Sequence, residues 1–508
     1  MYDIAYSLGV GAAAPYWLLK PSARRKVLGA LAQRMGRDLP PPREGDSPTV
    51  LIHAVSLGEM NATRTLVQAL RLARSDLRFV VSATTDTGFS RGLELYGPSN
   101  DVRVIRYPLD FSGAVNRVLD NVRPDVVVLM ELEVWPNFTQ RCQERGIPVV
   151  LANARLTSSS FRNYRLGGPL VKAMFRRLTL VCAQDETYAM RFLALGVPPH
   201  RVVITGTMKF DNANLAPPSG GAVNRAQFVG LRVGEEPVLV CGSTGPGEEA
   251  IVLAAYRRLL EKFARLRLVL VPRHPVRFDE VEQIIQEHKF RCERLTRAGT
   301  RPPSDLAIPP VVLVDAMGVL RDFYGVADVV FVGRTLVDLG PRQHGSDMIE
   351  PAALGKPVIV GPFTGNFAEA MRKLLAADAI LEVPSGEQLE QSVSVLLSTP
   401  SEARAMGERA ANVVAREQGA TQRHARVILQ ILGVARGEIA PPEPGPAARE
   451  AVSVAAPPSS SSPPQRPAHP HAAQPAGASA PKVVITRLGP IPGSAPFAQG
   501  EQRTGPPQ

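Results

Sequence analysis

The chain has 508 residues, 44% of them hydrophobic and 21% charged, and a formal net charge of +11. This suits two or three domains with large cores and excludes a highly charged low-complexity body. The basic balance admits nucleic acid, an anionic membrane or an anionic substrate, but aromatic and basic residues do not interleave as in a single-strand-binding groove, so no nucleic-acid partner is expected.

Residues 1–20 read as an apolar, membrane-associating segment. Ile4 to Leu19 is apolar apart from Tyr6, Ser7 and Tyr16. Positive charge follows it, at Lys20, Arg24, Arg25, Lys26, Arg34, Arg37 and Arg43. A secretory signal carries its positive charge first, so none is expected. The stretch is short for a spanning helix and holds Gly9, Gly11 and Pro15. It reads as a short anchor, as an interfacial segment with Tyr16 and Trp17 at the headgroups, or as a helix packed on the first domain.

From Thr49 strands and helices alternate. Val50–Val55, Phe79–Ala83, Val102–Tyr107, Asp125–Met130, Val149–Asn153, Leu180–Ala183 and Val202–Thr205 are continuous apolar runs, as expected for a parallel sheet covered on both faces. Helical patterns lie between them, including Leu66, Leu70 and Leu72, then Phe111–Val122 and Gly168–Arg177. Asn212 to Gly221 has linker composition. A second run follows: Val238–Cys241, Leu266–Val271, Val311–Val314, Val329–Val332, Val358–Val360 and Ile380–Val383, then a helix pair over Glu402 to Leu432. The fold class is α/β, with two tandem doubly wound, Rossmann-like domains at 21–213 and 225–436. An interdomain cleft is the expected ligand site. Residues 437–508 are a Pro/Ala/Ser-rich tail expected to be disordered.

Cys142, Cys182, Cys241 and Cys292 are scattered and predict reduced thiols rather than a disulfide framework. No pair has zinc-ligand spacing, and no metal site is expected.

The first strand ends in Val55-Ser56-Leu57-Gly58-Glu59, where a buried strand turns into a helix. Glu59 then lies at the carboxyl end of the sheet, where open α/β folds bind ligands. The helix dipole favours its charge and burial opposes it, the balance a general base needs; a helix-capping glutamate is the plainer reading. Met130-Glu131-Leu132-Glu133-Val134-Trp135-Pro136-Asn137 ends another strand. Its two carboxylates share one face and read either as acids of the site or as salt-bridge partners of Arg155 or Lys209. Lys209, in Gly206-Thr207-Met208-Lys209-Phe210-Asp211, reads as a cation at the cleft mouth or as a solvated lysine.

In the second domain, Gly242-Ser243-Thr244-Gly245-Pro246-Gly247-Glu248-Glu249 reads as a phosphate-accepting turn or as an ordinary strand–helix turn. Arg273-His274 in Val271-Pro272-Arg273-His274-Pro275 suits a phosphate. The turn Met317-Gly318-Val319 offers backbone groups to a base. Gly345-Ser346-Asp347-Met348-Ile349-Glu350-Pro351 offers carboxylates to a ribose. All of these follow strands at the same edge.

In this order the motifs resemble the 3-deoxy-D-manno-octulosonic acid (Kdo) transferases. Thr84-Thr85-Asp86-Thr87-Gly88, Tyr107-Pro108-Leu109-Asp110, Asn153-Ala154-Arg155-Leu156 and Glu350-Pro351 extend the likeness, which runs from about Tyr6 to Leu432. The resemblance implies a GT-B fold, acceptor binding in the first domain and CMP-Kdo binding in the second. It implies inverting, metal-independent transfer to a lipid A precursor at the cytoplasmic face of the inner membrane. It makes Glu59 the general base and assigns Glu131 and Lys209 to transition-state stabilisation. It assigns Ser243, Arg273, His274, Met317, Gly318, Val319, Asp347, Met348, Ile349 and Glu350 to the CMP-sugar.

The chain departs from the family pattern in four places. Gly245 stands where a histidine is usual, and Ser346-Asp347 where His-Asn is common. Arg334 occupies a usually small position, and Val319 replaces a common Glu. Asp347 is expected to weaken phosphate binding unless Arg334 or Arg342 pairs with it. The competing expectations are a GT-B transferase for another nucleotide sugar and a non-catalytic nucleotide-sugar or lipid-binding protein. A dehydrogenase is not expected, because no G-x-G-x-x-G follows a strand.

Overall fold

The computed structural model describes residues 30–42, 45–216, 220–298, 308–340 and 343–440, together with Asp3 and Ser7. The expectations for residues 1–20, for Arg342 and for the tail from 441 onward fall outside these residues, apart from Asp3 and Ser7. Two compact units are present. One runs to Thr207 and resumes at Thr421; the other is Met208–Ala420.

The first unit holds β1 (Thr49–His53), β2 (Arg78–Ala83), β3 (Val102–Arg106), β4 (Val126–Met130), β5 (Val149–Ala154), β6 (Leu180–Ala183) and β7 (Val202–Ile204). They form one parallel sheet in the order β3-β2-β1-β4-β5-β6-β7. The order reverses between β1 and β4. The second unit holds β8 (Val238–Thr244), β9 (Arg267–Pro272), β10 (Cys292–Arg294), β11 (Val311–Leu313), β12 (Val329–Val332), β13 (Val358–Val360) and β14 (Leu381–Glu382). These are also parallel, in the order β10-β11-β9-β8-β12-β13-β14, reversing between β8 and β12. The two doubly wound units are those expected of a GT-B chain.

The apolar runs are continuous because alternate residues enter opposite cores. Val238 and Val240 of β8 pack in one cluster, and Leu239 and Cys241 in the cluster on the other face. The edge strand β10 escapes a hydropathy reading because it is short, and its Glu293 and Arg294 are only partly buried.

Some details of the sequence reading change. Helix Leu57–Ala73 buries Met60, Thr63, Leu66, Val67 and Leu70, whereas Leu72 is 89% exposed. Two residues past Leu70 is about 200° around a helix, so Leu72 is on the far face. The predicted helix pair splits into Pro400–Glu417 and Ala420–Ala435, joined through Gly419 at φ 89°. The second of these belongs with the first unit. There the Asn153 amide donates to Nε2 of buried His424 (2.9 Å), and Arg436 pairs with Asp125 (2.8 Å). The first stretch likewise ends earlier than 213: Phe210 is buried in the second unit's core, and Asp211 accepts from the Gly419 amide. All four cysteines are free, with Cys142, Cys182 and Cys241 buried.

Candidate active site

In the first unit the motifs meet at the carboxyl ends of β2, β1, β4 and β5, around the reversal of strand order. Ser56 caps helix Leu57–Ala73, and Glu59 closes the cap. The Glu59 amide donates to Ser56 Oγ (3.3 Å), Ser56 Oγ donates to Glu59 Oε1 (2.8 Å), and the Val55 amide donates to Oε2 (2.9 Å). The capping reading is therefore correct, and it fixes where the carboxylate points. Charge decides the rest. Burial and the neighbouring Glu131 outweigh the Val55 and Ser56 hydrogen bonds, and the Glu59 carboxyl is pushed up to about 7.

The next turn braces this one. Thr85 Oγ1 donates to the Val55 carbonyl (2.7 Å), and a Cβ on Gly88 would lie 2.8 Å from that oxygen. Only glycine lets the helix Asp86–Tyr96 approach so closely. Beneath the site, buried His53 stacks on Tyr107 at 3.6 Å. Burial drives its imidazole down to about 3, so it is a neutral packing residue.

Glu131 follows β4 at φ 53°, a left-handed turn that a non-glycine residue rarely adopts. Its amide donates to Ala152 (2.9 Å) and its carbonyl accepts from the Arg155 amide (3.3 Å), so β5 holds the turn. No ion pair reaches Glu131 from another described residue. Glu133 accepts from Trp135 Nε1 (3.1 Å), and burial raises its carboxyl. Asp110 is structural. It accepts from the amides of Asn137 (3.0 Å) and Phe138 (2.9 Å) and so caps helix Pro136–Glu144.

Lys209 lies in the second unit, rather than ending the first as the sequence pattern places it. Its Nζ donates to the Asn366 carbonyl (2.6 Å) and sits 4.8 Å from the centre of the Phe367 ring.

In the second unit the carboxyl ends of β11, β9, β8 and β12 carry the residues that the resemblance assigns to the CMP-sugar. Glu248 is fully buried and gathers the turn. Its Oε2 accepts from the amides of Gly245 (2.8 Å) and Arg334 (2.6 Å), and its Oε1 from Thr335 (2.8 Å) and Leu336 (2.8 Å). These four amides are taken by a resident carboxylate. Of the glycine-rich turn itself only the Gly245 amide is taken in this way; the other three amides belong to Arg334, Thr335 and Leu336 after β12. Ser243 is buried at φ 55°, and its carbonyl accepts from Ser346 Oγ (3.3 Å).

Arg273 and His274 are exposed after β9. The turn behind them is pinned by Arg277, a residue that sequence reasoning does not single out. Arg277 grips buried Glu249 through two hydrogen bonds, of 2.6 and 3.1 Å. An Arg–Glu pair 28 positions apart has no sequence signature. Breaking a buried pair from one side costs about 3–5 kcal/mol. Glu249→Ala is accordingly expected to lower urea stability by about 3 kcal/mol, with unchanged stability counting against the anchoring role.

In the turn Met317-Gly318-Val319, Met317 and Gly318 are exposed, with Gly318 at φ 81°, whereas Val319 is half-buried and its carbonyl accepts from the Asp322 amide (3.1 Å). Met348 and Ile349 differ from expectation: both side chains are in the core, so only their backbone can meet a ligand. Asp347 retains an exposed edge and accepts from the Ile349 amide (2.9 Å). Desolvation raises its carboxyl, while the amide, Lys209 and Arg273 oppose the rise. Its cationic neighbours are thus Lys209 and Arg273 rather than Arg334. Burial and Asp347 also raise partly buried Glu350. Among the described residues no His, Cys, Asp or Glu cluster could hold a metal ion. Two cavities of about 290 and 420 Å³ open at the amino ends of the strands, away from this chemistry.

Comparison with known proteins agrees with this layout. Residues 29–212 match the family model of 3-deoxy-D-manno-octulosonic-acid transferase (kdotransferase). The chain is 34% identical to a 3-deoxy-D-manno-octulosonic acid transferase of Haemophilus influenzae, over 77% of this chain and 89% of that one. It is 35% identical to the enzyme of that name from Bordetella pertussis, over 74% and 85%. Among solved structures it is similar to the C-terminal CMP-Kdo binding domain of WaaA from Acinetobacter baumannii, at 29% identity and a TM-score of 0.34, covering 38% of this chain and 95% of that domain. The likeness to the Haemophilus protein runs over 400 residues, more than either compact unit could supply alone, and the chain belongs to the 3-deoxy-D-manno-octulosonic acid transferase family.

Proposed function

We propose that this chain transfers Kdo from CMP-Kdo to a lipid A precursor of the lipid IVA type, with inversion, in lipopolysaccharide synthesis. The observation that carries the reading is Glu59: a carboxylate locked by a helix cap, beside a second acid, and raised to about 7. A base poised near neutral pH is what abstraction of a sugar hydroxyl proton requires. Glu59 takes that proton as the hydroxyl oxygen bonds to the anomeric carbon of Kdo. The bond from that carbon to the CMP phosphate oxygen breaks, and its electron pair leaves with CMP. Burial, with Glu131 beside it, holds Glu59 in its raised state. Lys209 and Arg273 meet the charge developing on the leaving phosphate, the work a metal does elsewhere, so no metal requirement is expected.

A lipid acceptor is supported by the helix pair after β5. Leu166 is 88% and Leu170 55% exposed there, with Arg162, Arg165 and Lys172 on the same two helices. Exposed leucines beside cations suit acyl chains carrying phosphates. Together with the apolar segment and basic cluster at the N-terminus, this supports action at the cytoplasmic face of the inner membrane. The departures at Gly245, Arg334 and Asp347 favour, as a second reading, a GT-B transferase for another nucleotide sugar.

The test is incubation of the purified full chain with CMP-Kdo generated in place and a tetra-acylated lipid A precursor, with products read by mass. Gain of Kdo, lost in Glu59→Gln, is expected. Transfer from a different nucleotide sugar alone would replace this reading with the second.

A further inference from the structure

We propose that Arg334 binds the phosphate of the nucleotide donor and that Gly245 provides the space from which it does so. The inference rests on the donor reading above and assigns a residue for it. A Cβ on Gly245 would lie 2.9 Å from Arg334 Cγ and 2.7 Å from Leu339 Cδ1. The arginine stem therefore fills the volume that a side chain at 245 would take. The two positions share one space: the room left open at Gly245 in the β8 turn is taken by the side chain that follows β12.

The backbone of Arg334 is fixed in place. Its amide is held by Glu248 Oε2 (2.6 Å), and its carbonyl accepts from the Gly345 amide (2.7 Å). It adopts φ 59°, a conformation retained at a non-glycine residue only where surroundings impose it. The head group is not satisfied. Nε is buried without a hydrogen-bond partner, no ion pair reaches the guanidinium from a described residue, and its contact to Gln343 Oε1 is long at 3.5 Å. A buried unpaired donor is costly, and an arriving oxyanion would remove the cost. The adjacent Thr244 hydroxyl is also buried without a partner.

The surroundings are cationic. Burial and Arg273 hold the Arg334 guanidinium below its usual range, against a smaller opposing effect of Glu248. Burial, then Arg334 and Arg273, in turn lower His274. Repelling cations gathered at a carboxyl edge, with the nearby carboxylate of Glu248 spent on four amides, make a receptor for an anion. A planar guanidinium suits a phosphate through two parallel hydrogen bonds.

Calorimetric titration of the full chain with CMP, cytidine, UMP and uridine tests this. Arg334→Ala is expected to weaken CMP binding by about 10- to 100-fold, the value of charge-assisted hydrogen bonds, and to leave cytidine unchanged; Arg334→Lys falls between. Gly245→Ala pushes the arginine aside and weakens CMP in the wild-type background, but adds little in Arg334→Ala. CMP affinity within about twofold of wild type in Arg334→Ala, a difference too small for a charged hydrogen bond, would overturn the assignment. An equal loss of CMP and cytidine would overturn it too, by making the residue merely structural. If UMP is the preferred ligand and Arg334→Ala loses it relative to uridine, the CMP reading fails and the Arg334 assignment stands.

Discussion

Glu59→Gln is expected to lower kcat by roughly 10²- to 10⁴-fold, the usual contribution of a general base, without lowering the melting temperature at pH 8. The variant separates the two roles of this side chain. Glutamine is isosteric and keeps the cap: its oxygen accepts from the Val55 amide, and its NH2 donates to Ser56 Oγ, reversing the present bond. It cannot accept a proton. The sign of the stability change follows from the shift. The folded protein holds the Glu59 proton up to about pH 7, above the ordinary carboxyl value of 4.5. Between these values the folded state binds more protons than the unfolded state, so stability falls as pH rises through that window. Above pH 7 the wild type bears the whole cost of a crowded carboxylate, and the variant does not. The melting-temperature difference, variant minus wild type, should therefore be more positive at pH 8 than at pH 5. In activity, kcat/KM of the wild type should fall as pH drops below about 7, and that limb should vanish in the residual rate of the variant. An unchanged rate with a lowered melting temperature would leave Glu59 as a cap alone.

Much of this site is legible in the sequence because it sits at the carboxyl ends of strands that announce themselves. Val50–Val55 and Asp125–Met130 are apolar runs, and whatever follows a buried parallel strand must face the crevice, so periodicity alone places Glu59 and Glu131. What escapes notice depends on contacts between distant residues. His424 belongs with the first unit because it accepts from Asn153, which no local pattern encodes. Arg277 looks like any charged residue on a helix flank until Glu249 is found against it. Met348 and Ile349 lie in a recognisable motif, but motif membership does not say which way a side chain points, and theirs point into the core. The sequence pattern offers Arg334 or Arg342 as a partner for Asp347; Arg342 lies outside the described residues, and the cations that act on Asp347 are Lys209 and Arg273, which leaves Arg334 to other work.

The glycine-rich turn is partly occupied from within, and Glu248 is the residue that occupies it. A run of small residues before a helix suggests amides open to a phosphate, but here the Gly245 amide joins those of Arg334, Thr335 and Leu336 around a carboxylate of the chain itself. Glu248→Ala would orphan the amides of Gly245, Arg334, Thr335 and Leu336 in a buried place. At about 1–3 kcal/mol for each unsatisfied buried donor, relaxation and water entry still leave a loss of about 4 kcal/mol or more. Glu248→Gln is milder. Its oxygen keeps one pair of amides, its NH2 confronts the other pair, and the neutral group no longer suffers the desolvation that raises the native carboxyl. About 2 kcal/mol is expected for it, from two orphaned donors partly offset. Urea unfolding gives the totals, and amide hydrogen exchange locates them. Exchange should quicken at those four amides first, and CMP affinity should fall with it, because the same carboxylate holds the backbone of Arg334. Unchanged exchange there in Glu248→Ala would mean that another acceptor holds the turn, and Arg334 would lose the anchor on which its aim depends.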